Sequence, residues 1–205
     1  MNRRDFDSNY GYLFESIFDE LNGLHSRTRK EHRALVLSIS WAIAEAFKKG
    51  NKVLLFGNGG SAADAQHLAA EFINRFLIDR KPLPAIALHT DTSIVTSISN
   101  DFSFSDVFSK QIKALGTPGD VAWGISTSGN SRNVIEGLIV AKEKGLITVG
   151  FTGSGGGTMK EYCDFILAVD SDHTPRIQEV HILIGHIICQ IVEDFLFAGS
   201  DNTHS

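Results

Sequence analysis

The sequence predicts an α/β fold: a three-layer domain whose five-stranded parallel sheet, in the order 2-1-3-4-5, carries helices on both faces, with two extra helices ahead of it. Two observations carry this. Short apolar runs rich in β-branched residues alternate with longer stretches of helical period, the pattern of parallel strands covered on both sides. The turns after two of those runs, Gly57-Asn58-Gly59-Gly60-Ser61 and Ser126-Thr127-Ser128-Gly129-Asn130-Ser131, concentrate glycines and hydroxyls where a strand hands over to a helix. At 205 residues, 42% hydrophobic and 21% charged, the chain is large enough to bury one core and ordinary enough to be globular.

Residues 8–25 place Tyr10, Phe14, Ile17, Leu21 and Leu24 at three- and four-residue spacing, which predicts an amphipathic helix. A second helix, about 30–49, ends at Gly50. Its stretch 34–47 is apolar on most sides and predicts burial on more than one face, as at a subunit interface. Residues 52–56 form the first strand, and the helix behind the glycine turn carries Glu71. A connector at 80–84 leads to a second strand at 85–88, a helix at 90–99, a polar cap at 100–106 and a helix to about 115. The third strand is 121–125, followed by a helix at 132–144 that Gly145 stops. A fourth strand at 146–151, a glycine turn at 153–157, a short helix and a fifth strand at 165–169 precede the last helix, 175–197, where Pro175 suits a first helical turn. With no repeat and no low-complexity linker, one domain spans 1–205: N-terminal helices to residue 50, sheet core and C-terminal helix at 51–197, and a polar, frayed tail at 198–205.

In that strand order the first and third strands are neighbours whose connections leave in opposite directions, and ligands bind in the crevice beyond such a switch point. The two loops there are 57–61 and 126–131. Backbone N–H groups at a helix start are unsatisfied and partly positive, so both are natural anion sites.

Net charge and cysteines bound the partners. A formal charge of −5 argues against a nucleic-acid surface, which needs clustered Lys and Arg. Cys163 and Cys189 sit in apolar contexts without C-x-x-C spacing, predicting reduced residues in a cytoplasmic protein. Residues 1–7 lack the apolar stretch of a signal peptide. The apolar run 181–192 is broken by His186 and Gln190, so no membrane span is expected.

The turn at residues 57–62 matches the dinucleotide fingerprint G-x-G-x-x-A, but no acidic residue ends the second strand at the required distance, and no Gly-Lys-Ser/Thr follows to make a P-loop. Ser126, Thr127, Ser128 and Ser131 crowd one helix start. Capping alone needs a single hydroxyl, whereas four of them with no preceding basic residue fit a phosphate cradle built of donors and dipole, with Ser61 facing it from the other loop. His67 and Glu71, four apart, share a helix face; by themselves they are most simply a solvated pair. On the last helix Gln178, His181 and His186 interrupt an apolar surface. Gln178 and His186, eight residues apart, can border one cleft, while His181 points elsewhere and suits a satisfied core or interface histidine.

The glycine turn, the His67/Glu71 pair, Ser99-Asn100-Asp101, the Ser126-to-Ser131 loop, and Arg176-Ile177-Gln178-Glu179-Val180-His181 with His186 together resemble the sugar isomerase (SIS) domain family, and more closely its bacterial phosphoheptose isomerases. The resemblance covers about residues 51–197 and accommodates the N-terminal helices. It implies isomerisation of sedoheptulose 7-phosphate to D-glycero-D-manno-heptose 7-phosphate through an enediol, in heptose biosynthesis toward lipopolysaccharide. It implies that Ser61, Ser126, Ser128 and Ser131 hold the phosphate, that Asn58, Gly59, Gly60, Asn100, Asp101 and Thr127 position the open-chain sugar, and that Glu71 and His186 are the acid/base pair. It further implies a zinc ion on His67, Glu71, Gln178 and His186, and a homotetramer with sites between subunits. Many relatives carry two acidic residues where this chain has Ala70-Glu71, so a single carboxylate is available here. The same fold also serves non-catalytic proteins that bind the bacterial replication initiator and sugar-phosphate-sensing modules. Retention of both Glu71 and His186 favours the enzyme over these.

Overall fold

The computed structural model describes residues 3–198, the side chain of Arg4 excepted. Of the frayed tail expected at 198–205, all but Ala198 lies outside the described residues. The chain forms α1 (Arg3–Lys48), β1 (Val53–Gly57), α2 (Gly60–Ile73), β2 (Ala85–Ala87), α3 (Thr92–Asp101), α4 (Val107–Leu115), β3 (Val121–Ile125), α5 (Arg132–Glu143), β4 (Ile147–Thr152), β5 (Phe165–Ala168) and α6 (Thr174–Phe197). Short 3₁₀ turns at Phe104–Asp106 and Thr158–Tyr162 stand where a polar cap and a short helix were expected.

All strands pair in parallel in the order β2-β1-β3-β4-β5, as expected. The alternation of side chains along each strand separates two cores. Val53, Leu55, Val121, Trp123, Val149, Phe151 and Leu167 face α1, α2 and α6. Leu54, Phe56 and Ala122 face α4 and α5 through Val107, Phe108, Ile112, Val134 and Leu138. Every residue of β1 and β3 is buried, which explains why those strands are continuous apolar runs rather than alternating ones.

The N-terminal region departs from the expected pair of helices: residues 3–48 form one helix of 46 residues, roughly 70 Å long at 1.5 Å per residue. The apolar period fades around residues 26–33, but nothing there breaks a helix, since no Gly or Pro lies between Leu24 and Lys49. Leu24 and Thr28 are buried, and His32 Nε2 lies 3.1 Å from the Ala168 carbonyl, so the polar stretch still rests on the domain. Further upstream Phe6, Tyr10, Tyr12, Leu13, Phe14 and Phe18 are exposed.

At the N-terminal edge of the sheet, buried Asp120 accepts bonds from the Lys52 amide (3.0 Å), Lys52 Nζ (2.6 Å) and the Thr117 amide (2.8 Å), fastening β1 to β3. Burial by itself raises its carboxyl pKa, and these bonds outweigh that and hold it below the ordinary value. The opposite edge is left to the loops. By length and composition α6 could cross a bilayer. Here it is a core helix, with Ile177, Val180, Ile184, Ile188 and Val192 packed in the larger cluster.

Candidate active site

β1 ends at Gly57 with no room for a side chain: a Cβ there would stand 2.8 Å from the Ile125 carbonyl and 2.9 Å from that of Ser61. Gly59 then takes φ 55°, a left-handed conformation that suits glycine, and caps the start of α2. Ser61 is buried in the first turn. The register pairs Gly57 with Ile125, so this turn and the 126–131 loop leave adjacent strand ends. They are stitched together by a reciprocal amide pair: Asn58 Nδ2 donates to Asn133 Oδ1 and Asn133 Nδ2 donates to Asn58 Oδ1, each at 2.9 Å.

In the second loop the hydroxyls face one another. Ser126 Oγ donates to Ser131 Oγ at 2.9 Å and lies 3.4 Å from Ser128 Oγ. Ser131 is the N-cap of α5, yet its side chain makes no capping bond. Capping therefore does not account for the hydroxyl cluster, and the first N–H groups of α5 keep their positive ends free of a side-chain acceptor from Ser131. The loop is braced from behind. A Cβ on Gly129, at φ 65°, would come within 2.4 Å of the Gly156 carbonyl, and Asn130 Oδ1 accepts from the Thr158 amide and hydroxyl, both at 3.0 Å. Thr127 and Ser128 also line a cavity of about 180 Å³ with Ser154, Ser171, Asp172 and Thr174.

α2 runs from this glycine- and hydroxyl-rich end to a second cluster. His67 and Glu71 share one face, with Nε2 3.3 Å from Oε1. α6 lies alongside and brings His186 Nε2 to 2.8 Å from His67 Nε2. The approach depends on Gly185, where a Cβ would sit 2.7 Å from Leu68 Cδ2. Ligand atoms of His67, Glu71 and His186 all lie within 4.8 Å of one another, the chemistry of a two-imidazole, one-carboxylate metal or acid/base site. Burial lowers the His186 pKa, the neighbouring His67 lowers it further, and Glu71 pulls it back up. The net effect favours the neutral imidazole, which can both give and take a proton.

Gln178 lies about 12 Å before His186 along α6, at 1.5 Å per residue. Its amide rests on Gly60, where a Cβ would stand 2.3 Å from Nε2. Gln178 thus closes the glycine turn from the α6 side. Asn100 and Asp101 end α3 and bond each other (Nδ2 to Oδ1, 2.8 Å); no hydrogen bond among the described residues ties them to either cluster. His181 is a core histidine as expected, 1% exposed, with Nε2 3.1 Å from the Thr152 carbonyl.

Several neighbours of the site are silent in the sequence. Asn133 is buried and holds Asn58. Asp64 stands one turn before His67; burial pushes its carboxyl up to about 6 while His67 pulls it down, and its Oδ2 is buried without a partner. Phe76 packs against the His186 ring at 5.6 Å between centroids. Arg80 and Glu193 form an ion pair at 3.0 Å with both side chains 2% exposed. A polar residue seated on a helical period was the only available signal for Asp64 and Glu193, and it does not name a partner.

The SIS domain model matches residues 17–153. The chain is 53% identical over 174 residues to the phosphoheptose isomerase of Nitratidesulfovibrio vulgaris Miyazaki F, covering 85% of this chain and 84% of that one. It is 57% identical over 162 residues to the phosphoheptose isomerase of Clostridium acetobutylicum, covering 79% and 83%. Among solved structures, the phosphoheptose isomerase of Neisseria gonorrhoeae superposes with a TM-score of 0.85 at 40% identity, over 90% of this chain and 98% of that one. On the domain match, the identities over most of both chains and the shared fold, the chain belongs to the SIS domain family, among its phosphoheptose isomerases.

Proposed function

We infer that this protein is an aldose–ketose isomerase that converts sedoheptulose 7-phosphate to D-glycero-D-manno-heptose 7-phosphate. The single observation that carries the chemistry is the meeting of His67 and Glu71, on the helix that opens from Gly59-Gly60-Ser61, with His186 of α6. From Ser61 to His67 that helix rises about 9 Å, comparable with an extended seven-carbon chain, so a phosphate at one end leaves the first carbons near the other.

The hydroxyls of Ser61, Ser126, Ser128 and Ser131, with the N–H groups at the starts of α2 and α5, bind the phosphate. Asn58, Gly59, Gly60, Thr127 and Gln178 flank the sugar, and Asn100 and Asp101 contribute from the end of α3. Glu71 takes a proton from C1 of the ketose, the C1–H electrons form the enediol double bond, and His186 delivers a proton to O2. Return of a proton from Glu71 to C2 and loss of the O1 proton to His186 complete the aldose, so no proton is gained or lost overall.

His67, Glu71 and His186 fit a zinc ion, since two imidazoles and a carboxylate leave a position open. Gln178, expected as the fourth ligand, stands about 12 Å from His186 along α6 with its amide on Gly60, so in this chain it flanks the sugar rather than joining the three. When bound, zinc would supply Lewis-acid polarisation of the sugar oxygens. We further assign a cytoplasmic homotetramer with a small-anion site rather than a nucleic-acid or membrane surface, supported by the net charge of −5 and the exposed aromatic residues of α1.

The test is isomerisation of sedoheptulose 7-phosphate by the purified protein with and without zinc, alongside Glu71→Gln and His186→Ala. Each variant is expected to lose about 10²- to 10⁴-fold in kcat, the usual worth of a positioned acid or base. An inactive zinc-replete wild type would remove the enzyme reading; full activity in Glu71→Gln would remove only its base.

A further inference from the structure

The loop between α2 and β2 has no regular structure from Asn74 to Arg80, yet it is tightly held. Glu193, on α6, accepts the amide N–H groups of Phe76 (2.8 Å), Leu77 (2.5 Å) and Ile78 (2.9 Å), and the Arg80 Nε–H at 3.0 Å. Arg80 in turn donates from Nη2 to the Glu71 carbonyl at 2.9 Å and from Nη1 to the Phe72 carbonyl at 2.7 Å, capping the last turn of α2. Taking two charges out of water is costly unless their hydrogen bonds are complete, and here the carboxylate has four donors. The clamp therefore ties three things together: the end of the helix that bears Glu71, the helix that bears His186, and the loop between.

What the clamp presents is Phe76. Glu193 follows His186 by seven residues, two turns on, so both point to the same side of α6. With its amide held by Glu193, Phe76 lays its ring on His186, 5.6 Å between centroids at 44°, on a ring that His67 meets at 5.0 Å and 67°. A catalytic or metal-bound imidazole commonly has its second nitrogen fixed by a carbonyl or carboxylate. Among the described residues the only hydrogen bond of the His186 ring is the one from Nε2 to His67. A single hydrogen bond leaves the ring plane free to turn about it. Packing supplies the missing restraint.

We propose that Phe76 is a positioning residue for His186, held in place by the Arg80–Glu193 clamp. The inference rests on the acid/base role assigned to His186 above. Its effect belongs to kcat rather than to substrate affinity, because Phe76 touches the acid/base ring while the phosphate is bound at the other end of α2.

The experiment compares full-length wild type with Phe76→Leu and Phe76→Tyr in steady-state kinetics, thermal unfolding and crystal structures. Phe76→Leu is expected to fold with its thermal midpoint within a few degrees of wild type. Its kcat should fall about ten-fold with KM changed less than about two-fold, the size of effect a small misplacement produces. The His186 ring should be rotated or divided between orientations, and Phe76→Tyr should restore both ring and rate. Wild-type kcat in Phe76→Leu overturns the proposal, and so does a lowered kcat with the His186 ring unmoved. Should the wild type fail to turn over sedoheptulose 7-phosphate, the assigned function falls on that result, and ring orientation in Phe76→Leu still decides the positioning: a displaced ring upholds it and an unmoved ring overturns it.

Discussion

His181 shows how far one buried side chain can set the acid behaviour of the protein. Burial pushes its pKa down from 6.5 to about 4, and its bond to the Thr152 carbonyl opposes this only partly. The unfolded chain takes up the proton near 6.5 and the folded chain only near 4, so the unfolded state binds more protons between those values. Stability is therefore lost as pH falls from about 6.5 to about 4, by about 3 kcal/mol over the whole window. Asp64 acts with the opposite sign there, because its folded pKa is raised. The comparison is thus wild type against His181→Gln, whose amide can still donate to Thr152. Urea midpoints between pH 7 and pH 4.5 should fall more steeply in wild type; parallel profiles would mean that His181 does not titrate as inferred. At this scale the sequence was most legible where a polar residue stands against its surroundings. His186 on an apolar helix stood out for that reason, whereas His67 and Glu71 alone read as a solvated pair. Phe76 and Asn133 did not, because an aromatic or an amide is unremarkable until the fold shows what it touches.

Helix α2 and helix α6 together make the second half of the site, and their spacing is set by the smallest side chain between them. In Gly185→Ala the new methyl would meet Leu68, which is 1% exposed and has nowhere to swing, so α6 must retreat from α2 and carry His186 away from His67. Overpacking costs about 1–3 kcal/mol, and the better helix propensity of alanine returns about 1 kcal/mol of it. A net loss of about 1–2 kcal/mol is expected in denaturant unfolding, with kcat down about ten-fold. The double variant Gly185→Ala/Leu68→Ala makes room for the methyl and should recover most of kcat; a double variant no better than the single would refute the spacing argument. Elements themselves were largely legible, since β3 is a continuous apolar run and Gly145 stops α5 one residue after its capping position. The error lay in α1. Two helices, 8–25 and about 30–49, were expected; the polar stretch between them stays helical and rests on the domain through Thr28 and His32, and upstream of it the helix carries its exposed aromatic side chains.

That upstream segment decides what the whole molecule does with its surface. Phe14 and Phe18 are 60% and 51% exposed and meet at a tilt with 5.0 Å between ring centroids, and Tyr12 is 81% exposed, so a row of aromatic groups meets water along the first half of α1. Isolated exposed apolar residues are ordinary, but an aromatic row along one helix is the kind of surface that the proposed tetramer would cover. Farther along α1 an apolar groove of about 430 Å³ lies against α6, lined by Val36, Leu37, Leu183, Ile184, Ile187 and Ile191. In a tetramer these faces would be covered, and His186, on the helix that lines the groove, would lie near a subunit boundary. Replacing Phe14 and Phe18 together by Ser removes no contact that the domain core uses. Sedimentation of wild type should give the mass of four chains and that of Phe14→Ser/Phe18→Ser a smaller species, with circular dichroism little changed. If the active site is completed between subunits, the smaller species should also lose turnover in proportion to its dissociation, with activity recovering at high protein concentration by mass action. A wild type that sediments as a single chain would leave the aromatic row unexplained and the tetramer assignment untenable.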